Sequence, residues 1–421
     1  MRFLYSLAYT IAFLTALPYF LVTGLLHGKY LSSVKQRFGW IPVSSELPSI
    51  WVHAVSVGEF LGAKPLVRRI LEEFPEVPLF ISTTTVTGQT LARKMLPGAS
   101  FYFPFDWNWC IRKVLHRIRP CLILVMETEI WPNFLWETKK QGVPVILVNG
   151  RISDRSHSRY RLLRRWLPQF EECLMQSDQD ATRMRALGTA RERIHVMGNL
   201  KFDFQPHLLP PDLRRLLMQW KGSSLLWVAG STMESEEENI LEAFLRLRDT
   251  YDVKLLLAPR HPERFATVAN LIARRNLPYA RRSDGGAVDQ PVLLLDSIGE
   301  LAATYELADF VLIGGTVRNY GGHNLIEPAY FGKAILSGPY YANFQAIFEE
   351  FRRRGAVLIT KDLYTDMTSL LRDPHRGKMM GSAAQALVKE NSGATELVLK
   401  RVRQRLHDRS RLESDQKLLV R

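Results

Sequence analysis

The sequence predicts an α/β protein of two Rossmann-like domains behind an N-terminal membrane helix, and three observations carry that expectation. Residues 3–26 hold no charged side chain. Over the rest of the chain, short apolar runs alternate with amphipathic helical stretches, the order expected of a doubly wound parallel sheet. Near the middle, "QPHLLPPDL" at 205–213 breaks the alternation with prolines that suit a linker better than an element interior. A chain of 421 residues is too long for one ordinary core. The expected division is an anchor at 1–30, a first domain at 31–204, a linker at 205–222 and a second domain at 223–421.

At about 1.5 Å per residue the N-terminal run can cross a hydrocarbon core of about 30 Å. Only Arg2 precedes it and no small-residue cleavage site follows, unlike a secretory peptide. Lys29, Lys35 and Arg37 come next, so the positive-inside rule expects the remainder on the cytoplasmic side. Pro18, Ser6, Thr10 and Thr15 dilute the signal, which leaves a helix lying in the interface, or a buried core helix, as alternatives.

In the first domain "SIWVHAV" (49–55), "PLFIST" (78–83), "LILVME" (122–127) and "PVILVN" (144–149) read as buried strands. Open α/β sheets bind ligands beyond the carboxyl ends of their strands, so the residues there carry most weight. Glu59 follows the first strand after Ser56, Val57 and Gly58. A partly desolvated carboxylate there can act as a general base, or it can simply complement the positive end of the next helix. Glu127 and Glu129, in "METEIWPN", suit proton transfer, metal binding or a solvated loop. "RISDRSHSRYRLLRRWLPQF" (151–170) sets Arg151, Arg155, Arg159, Arg161, Arg164 and Arg165 beside Tyr160 and Trp166. That face suits an anionic membrane surface or a phosphorylated lipid, or is merely solvated. "DQD" (178–180) opens a helix pattern, so Asp178 or Asp180 is expected as an N-cap rather than a metal ligand, and no essential metal is expected. Lys201, in "GNLKFD", is either a cation facing the crevice or a surface charge.

The second domain repeats the pattern with "LLWVAGS" (225–231), "VKLLLAPR" (253–260), "VLLLDS" (292–297), "DFVLIGG" (309–315), "KAILSG" (333–338) and "AVLIT" (356–360). Its strand ends suit anions: Gly230 and Ser231, then Arg260 and His261, then the glycine-rich "GGTVRNYGGHNLIEP" (314–328), whose exposed N–H groups could hold a phosphate. Asn324 and Glu327 add an amide and a carboxylate suited to a ribose diol, and Pro328 is expected to open the following helix. Neither half has GxGxxG at its first strand, nor does GxxxxGK[ST] occur, so dinucleotide and P-loop chemistry are disfavoured.

Net charge is +14, which implies an acidic partner such as nucleic acid, anionic lipid or a phosphorylated substrate. No nucleic-acid recognition module is visible. Cys110, Cys121 and Cys173 are odd in number and lack CxxC spacing, which disfavours a disulfide framework and favours a reducing compartment. The tail "KRVRQRLHDRSR" (400–411) reads as a solvated helix.

Taken in order, "HAVSVGE", "METEIWPN", "NGRISDRS", "GNLKFD", "PRHPER", "DSIGEL" and "GGHNLIEP" behind one membrane segment resemble the 3-deoxy-D-manno-octulosonic acid (Kdo) transferases of lipopolysaccharide biosynthesis, over nearly the whole chain. The resemblance implies a GT-B glycosyltransferase, two Rossmann-like domains facing a cleft, anchored at the cytoplasmic face of the inner membrane by a single-pass or monotopic helix. It implies metal-independent, inverting transfer of Kdo from CMP-Kdo to a phosphorylated lipid A precursor of the lipid IVA type, with no cofactor. By the same resemblance Glu59 is the general base, and Glu129 and Lys201 stabilise the transition state. Arg260 and His261, Ile298, Gly299 and Glu300, and Asn324, Leu325, Ile326 and Glu327 match the CMP-binding segments. The partners implied are CMP-Kdo, the lipid acceptor and an anionic membrane surface. Gly150 departs from the small alanine-like residue expected there, and 205–222 carries no motif of the family. Another GT-B enzyme with a different nucleotide sugar is the alternative, and a non-catalytic, membrane-tethered binding protein is a more distant one.

Overall fold

The computed structural model describes residues 2–27, 31–206, 209–285 and 289–419. They form two compact units, one running to Asp203 and resuming at Ser392, the other spanning Phe204–Asn391. Each contains a seven-stranded parallel sheet.

The first sheet is made of β1 (Ser49–His53), β2 (Leu79–Thr83), β3 (Ser100–Tyr102), β4 (Pro120–Met126), β5 (Val145–Gly150), β6 (Glu172–Met175) and β7 (Ile194–Val196), in the order β3-β2-β1-β4-β5-β6-β7. Every residue of β1, β2, β4 and β5 is buried, because helices cover both faces; hence the near-continuous apolar runs in the sequence. Alternation sends Trp51, Ile123, Val125 and Leu147 into one core and Ile50, Val52, Leu122, Leu124, Ile146 and Val148 into the other. Ser56, Thr85, Ser153 and Ser177 start four of the covering helices, each side chain accepting from the N–H three residues on. Ser177, not Asp178 or Asp180, is thus the cap of Asp178–Ala186, and the two aspartates occupy its first turn.

The second sheet consists of β8 (Leu225–Thr232), β9 (Val253–Pro259), β10 (Tyr279–Arg281), β11 (Val292–Leu294), β12 (Phe310–Ile313), β13 (Ala334–Ser337) and β14 (Leu358–Ile359), in the order β10-β11-β9-β8-β12-β13-β14.

The expected domain limits need two corrections. Much of the expected linker is the helix Pro211–Lys221, which belongs to the second unit because Leu213, Leu217 and Trp220 are buried; prolines at its start are compatible with a helix. The chain also returns to the first unit at Ser392. Asp203 draws it back, accepting from Gly393 N–H at 2.6 Å and from Thr395 N–H. The helix Ala394–Leu419 then buries Val398, Leu399 and Val402. Its tail is not simply solvated: Arg401 pairs with Glu172 at 2.9 Å, Arg405 with Glu171 at 2.8 Å, and Arg403 with Glu73.

The N-terminal helix, Arg2–His27, has an apolar window over Phe3–Phe20 long enough to cross a membrane. A half-buried stripe through Tyr5, Ser6, Tyr9, Thr10 and Phe13 lies on the first unit, while Phe3, Leu4, Leu7, Ile11 and Leu14 face outward. Lys29 lies outside the described residues.

Candidate active site

In the first sheet β1 and β4 are adjacent and central, and the strand order reverses between them. A crevice opens beyond the carboxyl ends of such a pair, because the connections leave in opposite directions. Pairing of His53 with Val125 brings the two strand ends level. Glu59 follows β1 and Glu127, Thr128 and Glu129 follow β4.

Glu59 sits in the first turn of the helix Val57–Glu73. One carboxylate oxygen accepts from Val55 N–H at 2.7 Å, the other from Ser56 Oγ at 3.1 Å, and the Glu59 N–H donates to Ser56 Oγ at 3.3 Å. This is a capping-box arrangement in which the carboxylate reaches the N–H one residue before the cap rather than the cap's own, so Glu59 does complement the helix start. It does not exhaust the residue. A carboxylate offers about four lone pairs, of which these contacts use two. The bonds favour the ionised form, yet burial outweighs them and, with the charges of Glu127 and Glu129 adding, pushes the carboxyl up to about 7. A cap alone needs no such basicity; a proton acceptor working near neutrality does.

Glu129 is likewise pushed up to about 7 by burial, with the Trp131 indole opposing and Glu127 adding. Glu127 holds the turn in the left-handed region at φ 55°. Between the two glutamates, Thr128 Oγ1 bridges Arg151, donating to its carbonyl at 2.6 Å and accepting from its N–H at 2.9 Å. Tyr160 OH donates to the Thr128 carbonyl at 2.8 Å. The arginine-rich helix Asp154–Leu163 is therefore pinned to the turn that carries Glu129, with Arg161 and Arg164 exposed at its end. The side chains of Arg155 and Arg159 lie outside the described residues.

Lys201 lies in the 3₁₀ turn Leu200–Asp203 after β7. Its Cγ would be 3.8 Å from a β-carbon on Gly62, so the lysine stem packs on the same helix that carries Glu59. The turn is fixed by Asn149, at the end of β5 in the left-handed region, whose Oδ1 accepts from Leu200 N–H at 3.1 Å. Next to it Gly150 has no space for a side chain: a β-carbon would meet Met175 Sδ at 2.7 Å.

In the second sheet the order reverses between β8 and β12. Arg260 and His261 are exposed after β9, and their charges act on His323, which burial chiefly holds down to about 4 and so neutral. Asn324 Nδ2 donates to Glu327 Oε1 at 3.2 Å, and burial raises the Glu327 carboxyl, with Asn324 and then Arg260 opposing. These five residues form one cluster of cationic, amide and carboxylate groups. Leu325 and Ile326 do not offer side chains to it; both are buried in the core. The helix there is Ile326–Tyr330, so Pro328 is its third residue rather than its first. Ile298 and Gly299 form an exposed turn after β11, Ile298 being 71% exposed. The contacts of Glu300 run to Ser297 Oγ and to Arg282 at 3.1 Å rather than to the Arg260 cluster. The glycine-rich loop also differs from the expected phosphate cradle, since the N–H groups of Gly315, Val317 and Arg318 are already taken by the buried carboxylate of Glu236. Among the described residues no three His, Cys, Asp or Glu side chains are arranged to hold a metal ion.

Residues 32–204 match the model of a family described as 3-deoxy-D-manno-octulosonic-acid transferase (kdotransferase). The 3-deoxy-D-manno-octulosonic acid transferase of Haemophilus influenzae is 32% identical over 88% of this chain and 91% of that one. The chain belongs to the Kdo transferase family. It is therefore grouped with the glycosyltransferases of lipopolysaccharide biosynthesis. The Kdo transferase of Bordetella pertussis is 34% identical over 86% of this chain and 89% of that one. A UDP-GlcNAc 2-epimerase from Neisseria meningitidis is similar in fold only, with a TM-score of 0.55 and 13% identity over 85% of this chain and all of that one. The two parallel-sheet α/β domains read from the sequence, resembling those of GT-B glycosyltransferases, are thus found.

For a Kdo transferase several side chains matter that sequence reasoning passed over. Asn149, Glu236, Glu237 and Asp106 are all buried and all accept backbone N–H groups or hold a neighbouring side chain. Their one sequence signal is position, just after a strand or at a helix start; which of many such polar residues is buried depends on tertiary packing. His323 lies within the glycine-rich motif, and its Nε2 is buried with no hydrogen-bond partner.

Proposed function

We propose that the protein transfers Kdo from CMP-Kdo to a sugar hydroxyl of a phosphorylated lipid A precursor of the lipid IVA type, with inversion and without a metal. The observation that carries this reading is the group at the β1/β4 switch point, where Glu59 is made basic by burial and by two neighbouring carboxylates. In the proposed step Glu59 takes the acceptor hydroxyl proton as that oxygen attacks the anomeric carbon of Kdo. The bond from this carbon to the CMP phosphate breaks, and its electron pair leaves with CMP. Glu129 and Lys201 are assigned to the transition state: a carboxylate favours the cationic character gained by the sugar, a lysine the negative charge on the phosphate. Arg260, His261, Asn324 and Glu327 are assigned to CMP, cations toward phosphate and carboxylate toward ribose hydroxyls. Ile298, Gly299 and Glu300, which follow β11, the strand next to β9, are assigned to the same ligand.

The exposed arginines after Tyr160 suit the acceptor's phosphates or an anionic membrane surface. For the N-terminal helix, docking through Tyr5 to Phe13 favours a monotopic placement with the outward apolar face in lipid. We infer that the rest of the chain lies on the cytoplasmic side of the inner membrane, where the cations after the helix would hold it.

Purified protein incubated with CMP-Kdo and lipid IVA, with product masses read by mass spectrometry, tests the function. The expected product is the acceptor carrying added Kdo, with release of CMP. Turnover of UDP- or GDP-sugars in place of CMP-Kdo would contradict the reading. The same spectra give the number of Kdo units added.

A further inference from the structure

The two arms of the candidate nucleotide site are held from behind by neighbours that the transfer step does not use. Glu236 and Glu237 open the helix Glu236–Arg248, just after β8, and both are buried. One Glu236 oxygen accepts from Gly315 N–H at 2.7 Å and Met233 N–H at 2.9 Å; the other accepts from Val317 N–H at 2.8 Å and Arg318 N–H at 3.2 Å. Those contacts occupy the lone pairs of a carboxylate, so Glu236 has none to offer a ligand. Gly322 N–H donates to the Gly315 carbonyl at 2.8 Å, which closes the loop immediately ahead of His323 and Asn324. Gly315 has φ +70°, and a β-carbon on it would come 2.8 Å from His323 Nε2. A shift of Gly315 is therefore passed directly to His323 and the residues after it.

Glu237 holds the other arm. It accepts from Arg264 through both oxygens, at 2.6 and 3.0 Å, and from Thr232 Oγ1 at 2.8 Å. Arg264 ends the segment that begins with Arg260, and the Arg260 N–H donates to the Thr232 carbonyl at 3.0 Å.

We propose that Glu236 and Glu237 are paired positioning residues for nucleotide binding, Glu236 setting the segment His323–Glu327 and Glu237 setting Arg260–Arg264. The proposal rests on the reading of this cluster as the CMP site. Calorimetric titration of the wild-type protein with CMP tests that reading, and the same titration of E236Q and E237Q tests the bracing. Glutamine at 236 turns an amide N–H₂ group toward two of the loop's donors, so CMP binding is expected to weaken about tenfold or more. E237Q, whose remaining oxygen can still serve Arg264 Nη1 and Thr232 Oγ1, is expected to weaken it by about threefold. In steady-state transfer the KM for CMP-Kdo rises in both variants while the KM for the lipid acceptor stays unchanged. E236D, which keeps the charge but is too short to serve all four N–H groups, falls between E236Q and wild type.

CMP affinity of E236Q within about twofold of wild type, in a variant that still unfolds cooperatively, overturns the bracing. An equal rise in both KM values does the same. Where E236Q does not fold, E236D carries the titration, and loss of cooperative folding in both assigns Glu236 to folding alone and overturns the proposal. Absence of CMP binding by the wild-type protein overturns the site reading, and the bracing falls with it.

Discussion

In the proposed reaction Glu59 serves a helix start and a proton transfer with one side chain. A capping box ordinarily favours the carboxylate, and here the Val55 N–H and Ser56 hydroxyl do so. Burial is the larger effect, and Glu127 and Glu129 add to it, so the group reaches about 7. With the folded value raised above the unfolded one, this carboxyl contributes stability that is full below about 4.5 and is lost as pH rises through about 7. With Glu59 as the proposed base, activity runs the opposite way, because a base acts only when ionised. The kcat/KM for transfer is expected to climb through about pH 7 and level off above it. Glu127→Gln removes a charge that raises both Glu59 and Glu129, so its acidic limb moves to lower pH. A pH–rate profile of this variant with an unmoved or upward-shifted limb would count against Glu59 as the titrating base. The sequence made Glu59 a candidate from its place after a strand, but its burial and its two acidic neighbours come from the β1/β4 pairing and are not local.

Among the elements, the N-terminal helix departs most from its one-dimensional reading. Ser6 and Thr10, which dilute its apolar signal, are part of how the helix docks. Tyr5 OH donates to Asp106 Oδ2 at 2.8 Å, Ser6 bonds Asn133, and the Trp107 indole donates to Thr10 Oγ1 at 2.9 Å. Asp106 also accepts from the N–H groups of Asn133 and Phe134 at 3.1 and 2.8 Å, in the first turn of the helix that follows Glu129. The N-terminal helix and the Glu129 segment thus share one buried carboxylate. Asp106→Ala strands a hydroxyl and two N–H groups, and is expected to lower unfolding free energy by about 2–4 kcal/mol. Chemical denaturation in detergent measures it; a loss below about 0.5 kcal/mol would contradict the shared anchor. The pattern of half-buried Tyr5, Tyr9 and Phe13 has helical spacing, yet periodicity alone does not say whether lipid or protein covers such a stripe.

At the scale of the molecule, two parallel sheets were legible because their central strands are buried on both faces and read as apolar runs. The edge strands β3, β7 and β10, of three residues each, and the four-residue β6 beside β7 were not. Chain return to the first unit was also illegible, since it depends on Asp203 meeting Gly393 and Thr395 across 190 residues or more. Of the candidate sites, strand-end position identified Glu59, Glu129, Arg260 and Asn324 as residues to weigh, whereas Leu325 and Ile326 followed from motif order and proved to be core. Charge balance pointed to an acidic partner without choosing among nucleic acid, anionic lipid and a phosphorylated substrate.

The central claim is that Glu59 accepts the proton of the attacking hydroxyl. Glu59→Gln tests it directly, because glutamine also completes a capping box and leaves the helix start intact. The account predicts that transfer falls by about a hundredfold or more, with CMP affinity unchanged and thermal stability not lowered, since glutamine, like the protonated acid, carries no buried charge. Transfer by E59Q at the wild-type rate, or a loss matched by equal losses of CMP binding and folding, would contradict it.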